Sequence, residues 1–151
     1  MKKEFEILKI TRNNILKAIQ NLSDEQLMKV PQGYNNNILW NMGHVVSSGQ
    51  KLIYGNASVP MRINEDYPAF FGKGSNPRQW QSTPDIHKVK EYLTSTPALL
   101  EEDYNKGIFK SYKEYETSYG FLITNVNDAI SFCNIHDALH LGIIMAQKKV
   151  V

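Results

Sequence analysis

Phe132-Cys133-Asn134-Ile135-His136-Asp137-Ala138-Leu139-His140-Leu141-Gly142-Ile143-Ile144 is the stretch on which the reading of this chain turns. Ala129, Phe132, Cys133, Leu139, Ile143 and Ile144 recur with a helical period, and His136 and His140, four residues apart, share their face. Asn127 or Asp128 is the expected N-cap of this last helix, and Lys148 and Lys149 suit its C-terminal dipole end. The two imidazoles fall near the middle of the predicted apolar stripe. Buried there separately, they would leave several ring nitrogens to satisfy. A metal ion satisfies them together, because neutral imidazole is a common metal ligand and the i, i+4 spacing brings two nitrogens to one point. The plainer alternative is a pair of core histidines bonded to backbone, tyrosine or water.

Outward from this helix, three more long ones are legible. Residues 3 to 21 carry Phe5, Leu8, Ile15, Leu16 and Ile19 near a 3.6-residue period. Ser23-Asp24-Glu25-Gln26 has the capping-box pattern and opens one short turn that ends before Pro31. A helix from Asn37 to Tyr54, stopped near Gly55, bears the stripe Ile38, Met42, Val45, Val46, Gly49, Leu52 and Ile53. Thr83 as cap and Pro84 as first helical residue open another, running to about Asn105 with Gly107 as the stop; Pro97 is expected to kink or split it. Tyr112 to Thr124, rich in β-forming residues around Gly120, reads as a short hairpin or an extended crossover. Residues 55 to 84 are rich in Gly and Pro, yet hold Tyr67, Phe70, Phe71 and Trp80. So long a connection is usually functional, and its aromatic residues predict that it packs down over the end of the domain. The expected fold is all-α, a four-helix up-down bundle with a long crossover loop, in one domain over residues 1–151.

Composition narrows the function. The 151 residues are 42% hydrophobic, enough for a core, and 17 Lys+Arg against 15 Asp+Glu leave a net charge of +2. That balance gives no basic face of the kind a nucleic-acid binder needs. No run approaches the roughly 18 uninterrupted apolar residues of a membrane span. A single cysteine cannot form an intramolecular disulfide, and the N-terminus is charged where a signal peptide would be apolar. A cytoplasmic protein with no nucleic-acid or membrane partner is expected.

A metal needs a third ligand. His87, beside Lys88 at the start of a helix, reads as solvated. His44 lies mid-helix but off the apolar stripe, so periodicity does not turn it inward. The spacing of His136 and His140 matches HExxH, but Asp137 replaces the glutamate base. None of the eleven residues after His140 is His or Glu, which excludes a zinc protease. Cys133, one turn before His136, is a weak further candidate and more simply a small core residue. Asn41, Ser48 and Gln147 face the same region and suit outer-shell roles; Tyr34, Phe71 and Trp80 suit either core packing or a pocket mouth.

Asn36-Asn37-Ile38-Leu39-Trp40-Asn41-Met42-Gly43-His44, with His136-Asp137-Ala138-Leu139-His140-Leu141-Gly142 far downstream, resembles the DinB-like superfamily over nearly the whole chain. Pro31-Gln32-Gly33-Tyr34, the Phe70 to Trp80 segment and the Gly120 region fit as well. These are small metal-binding bundle proteins that include thiol-dependent S-transferases such as the bacillithiol transferases. The resemblance implies a divalent metal, usually nickel or zinc, held by His44, His136 and His140, and the site is expected at one end of the bundle, beneath the 55–84 loop. It further implies a small-molecule substrate, with a low-molecular-weight thiol favoured, and a homodimer. The chain departs from many relatives in having Asp137 where they carry Glu. The alternative is a non-catalytic metal- or small-molecule-binding homodimer.

Overall fold

The computed structural model describes residues 1–151. The chain folds into α1 (Lys2–Ile19), α2 (Asp24–Met28), α3 (Ile38–Gln50), α4 (Tyr67–Phe71), α5 (Ile86–Asn105), the strands β1 (Tyr115–Glu116) and β2 (Leu122–Ile123), and α6 (Val126–Gln147). It is an all-α fold in which α1, α3, α5 and α6 form the bundle, with a two-stranded antiparallel hairpin beside it.

Local chemistry sets the element ends. Ser23 and Gln26 form the reciprocal capping box of α2. Asn37 caps α3 by accepting from the Trp40 N–H at 2.7 Å, and donates its amide to the Met28 carbonyl at 2.9 Å, tying α2 to the start of α3. Two caps sit elsewhere than expected. Asp85, not Thr83, caps α5 by accepting from the Lys88 N–H. Asn125, not Asn127 or Asp128, caps α6 by accepting from both of their N–H groups, while Asp128 reaches back to Thr124. In each case several capping residues stand in a row, and the one whose backbone is extended takes the role. Pro97 stays inside a continuous α5, and Gly107 ends it at φ +65°. Past Gln50, α3 widens into a π-turn over Lys51–Gly55.

The crossover from 56 to 85 is fastened along α5. Arg62 forms a two-point pair with Asp103 at 2.9 and 2.8 Å, Tyr54 donates to the same carboxylate, and Asn64 exchanges hydrogen bonds with the Tyr92 hydroxyl. This return path sets helix direction. Ion pairs and hydrogen bonds match Lys9 with Glu101 and Arg12 with Thr96, so α5 runs against α1. Glu4 meets Asn134 and Ala18 meets Lys148, so α6 runs with α1. Alternation between neighbours in sequence is therefore broken at α3 to α5: the crossover carries the chain back, and the order is up, down, down, up.

Two apolar clusters fill the bundle. One gathers Ile15, Ile19, Leu39, Val89, Leu93 and Ile144; the other gathers Phe5, Leu8, Ile53, Leu100, Ile130 and Cys133. Between them lies a polar layer. Arg12, 4% exposed, donates to the fully buried Asp137 at 2.8 Å, to the Thr96 hydroxyl at 2.8 Å and to the Val45 carbonyl at 3.1 Å. One side chain thus joins all four bundle helices. By length and composition α6 could cross a bilayer, but Ala129, Ile130, Phe132, Cys133 and Ile144 are buried in the bundle and its buried carboxylate is paired with Arg12.

Candidate metal centre

The site grows from α3 and α6, which run antiparallel and meet at mid-length. α3 is buried almost all round: from Ile38 to Gln50 only Ser48 is not fully buried. His44 therefore points inward although it lies off the apolar stripe. On α6 the most buried line runs through Cys133, Asp137, His140 and Ile144, not through His136. Leu139, expected on the buried face, is 46% exposed. His136 stands at the edge of the buried line and His140 within it.

His44, His136 and His140 come together. One ring nitrogen from each lies within 4.8 Å of the other two, and the rings of His136 and His140 are 4.5 Å apart. Two of the rings are oriented by the protein. His44 Nδ1 donates to the Phe71 carbonyl at 2.7 Å, and its ring stacks on Trp40 at 4.3 Å. His140 Nδ1 donates to Asn41 Oδ1 at 2.8 Å; Asn41 is held by Gln147, which in turn donates to the Asn36 carbonyl. Each such bond leaves the opposite nitrogen, Nε2, unprotonated, the outer-shell arrangement of metal-binding histidine. Ser48 Oγ lies 3.2 Å from His44 Nε2. The third ring has no such acceptor within hydrogen-bond reach; His136 Nδ1 is 3.6 Å from Asp137 Oδ1, a buried oxygen without a partner. Three imidazoles with converging nitrogens are a set that could hold a metal ion.

Burial favours the neutral form of the His44 and His140 rings. Burial, the largest cause, together with the neighbouring His136 lowers the His44 pKa from the ordinary 6.5 to about 4 and that of His140 to about 3. The Asp137 carboxyl is pushed up by burial and down by the charge of Arg12, with the net direction downward. Between about pH 3 and 6.5 the unfolded chain therefore binds more protons than the metal-free folded one. Stability is undiminished above 6.5 and falls as the pH drops towards 4 and below. Urea midpoints with a chelator present should decline from pH 7 to pH 5, and a flat profile over that range would contradict buried, neutral imidazoles.

The histidines form one wall of a cleft of about 330 Å³, within the range of small-molecule sites. Its other walls are Ser47, Ser48 and Lys51 on α3 and the π-turn, the Gly72-Lys73 corner, and the hairpin tip. The site lies along the side of the bundle at mid-height, not at one end, and the hairpin covers it together with the crossover. Tyr34, Phe71 and Trp80 do not line it; Phe71 is core, and the aromatic residues at the cleft are Tyr115, Tyr119 and Phe132. Cys133 lies in the core behind the site, and burial drives its thiol pKa up, away from the thiolate a ligand requires. His87 is exposed on α5, away from the cluster. Arg12 escaped sequence reading altogether, since a lone arginine in an amphipathic helix gives no sign that it is buried.

The family model described as the DinB superfamily matches residues 7–144. The chain belongs to the DinB superfamily. The match spans α1 to α6 and includes all three histidines, in agreement with a metal-binding protein of DinB type. No curated protein matches the chain.

Proposed function

We propose that this DinB-superfamily protein is a metal-dependent enzyme that adds a low-molecular-weight thiol to an electrophile, with His44, His136 and His140 as the ligands of nickel or zinc. The observation that carries the reading is the convergence of three imidazoles on a cleft wide enough for a small molecule. Three protein ligands leave coordination open to water or substrate, as in catalytic zinc sites and unlike closed structural ones. A bound divalent ion would supply the charge that keeps a thiol ionised at neutral pH. The chain's own groups do the rest. Phe71 and Asn41 set the tautomers of His44 and His140, and the hairpin and the 72–73 corner narrow access by water. The apolar side chains Ile7, Ile10, Ile135 and Leu139, exposed on α1 and α6, support a homodimer. The lone, buried Cys133 suits a reducing cytoplasm.

The test is elemental analysis of untagged protein, followed by thiol–electrophile conjugation assays on the loaded form. Near-stoichiometric nickel or zinc, lost in His44→Ala and His140→Ala, with turnover lost in parallel while folding persists, is the expected result. Metal bound without turnover of any thiol would leave the non-catalytic binding homodimer. Absence of metal even after incubation with both ions would sink the metalloenzyme.

A further inference from the structure

The charge of the cleft is one-sided. Lys51 and Lys73 both line it, and no Asp or Glu does, although acidic and basic residues are nearly balanced over the chain. Neither lysine takes part in any of the ion pairs of the protein. The remaining polar lining is neutral and rich in donors: Ser47, Ser48, Thr117 and Ser118. Two ammonium groups beside low-dielectric walls, with no internal counter-charge, attract an anion and raise its local concentration.

Both lysines are set by built features. Lys51 opens the π-turn, and its N–H bonds to both the Ser47 and the Ser48 carbonyls. Helical spacing puts Ser47, Ser48, Lys51 and Leu52 on the side of α3 that bears His44, and Asn56, just past the wider turn, lines the same cleft. Such π-turns are frequent at functional sites. Lys73 projects from a corner that cannot relax freely. Ser75 Oγ donates to the carbonyls of Phe70 and Gly72, both at 2.8 Å, and accepts from Trp40 Nε1 at 2.8 Å. A Cβ at Gly72 would lie 2.5 Å from the Pro68 carbonyl. The same corner supplies the Phe71 carbonyl that orients His44, so Lys73 is anchored two residues from a support of the metal centre.

We infer that Lys51 and Lys73 form an anion subsite, and that the small molecule acted on in this cleft carries an anionic oxygen group, carboxylate or phosphate, held by these two lysines while its reacting atom faces the histidines. The position of the reacting atom rests on the function proposed above; the anion subsite does not.

The test compares two thiols of similar size, 3-mercaptopropionate and 2-mercaptoethanol, titrated into zinc-loaded protein. At low salt the carboxylate-bearing thiol is expected to bind about tenfold more tightly, and the preference should shrink to about twofold or less in Lys51→Met/Lys73→Met and at high salt. Both side chains are exposed and methionine keeps the aliphatic stem, so the variant is expected to fold as the parent does. In a second arm, metal-free protein is titrated with propionate and with inorganic phosphate while the lysine ammonium NMR signals are followed. A response to propionate identifies a carboxylate as the held group, and a response to phosphate alone identifies a phosphoryl group. Zinc content is measured on every sample, so a failed metal centre is recognised as such and the metal-free arm still decides the subsite. Equal affinity for the two thiols without a response to phosphate, a preference that survives the double substitution, or no response to either anion would overturn the inference.

Discussion

Truncation of Asp137 to alanine is expected to destabilise the fold by about 3–5 kcal/mol, because it leaves Arg12 charged and buried without its partner. Asp137 is completely inaccessible and Arg12 nearly so, and the guanidinium is held besides by the Thr96 hydroxyl and the Val45 carbonyl. These neutral acceptors satisfy its N–H groups but do not cancel its charge. Urea unfolding of Asp137→Ala, Arg12→Met and the double variant Arg12→Met/Asp137→Leu separates the pair from its surroundings. The double variant should be more stable than either single one, since apolar residues of similar volume can replace a buried pair at little cost. If the three variants proved equally stable, the two charges would not be coupled. A consequence for the site accompanies the loss. Asp137 Oδ1 is unpartnered and lies 3.6 Å from His136 Nδ1. The Asp137→Asn variant, nearly unchanged in shape, should therefore retain metal less well than the parent, which equilibrium dialysis would show.

Gly43→Ala is the second large expected effect, and its sign runs against helix propensity. Alanine in place of glycine inside a helix normally gains up to about 1 kcal/mol. At Gly43 the new methyl would lie 2.3 Å from the ring of Phe71. That ring cannot swing aside, since it is fully buried and packed against Tyr67 and Trp80. Overpacking of this kind costs about 1–3 kcal/mol. The strain falls on the metal centre as well, because the carbonyl of Phe71 orients His44. Lower thermal stability and reduced metal content are expected together. Gly142→Ala is the matched control: nothing lies within 4 Å of its missing methyl, so it should be neutral or stabilising. Equal behaviour of the two variants would refute the close approach of Phe71 to α3.

Much of this architecture was legible beforehand for physical reasons. The periods of α1 and α6, the capping box at Ser23, and Pro84 and Gly107 at the two ends of α5 are local patterns that need no partner to be read. The i, i+4 histidines are local too, because helix geometry alone brings them together. Reading failed where a residue's environment is supplied from far along the chain. His44 could be placed only through the family resemblance: α3 is central, packed on nearly every side, and a helix buried all round shows no preferred face. The stripe of α6 was centred one residue early, on His136, because Asp137 counts as polar until Arg12 from α1 is known to neutralise it.

The sequence by itself therefore determined the helices, their caps to within three residues, and the pair of histidines one turn apart. Only the tertiary structure decided that α5 runs parallel to α3, that Arg12 and Asp137 share a buried layer, and that Lys51, Lys73 and the hairpin tip enclose the cleft beside the histidines. The division follows from the range of the interactions. Hydrogen bonds and side-chain spacing within a helix act over three or four residues, whereas the pairing of charges and the closing of a cleft join side chains up to 125 positions apart.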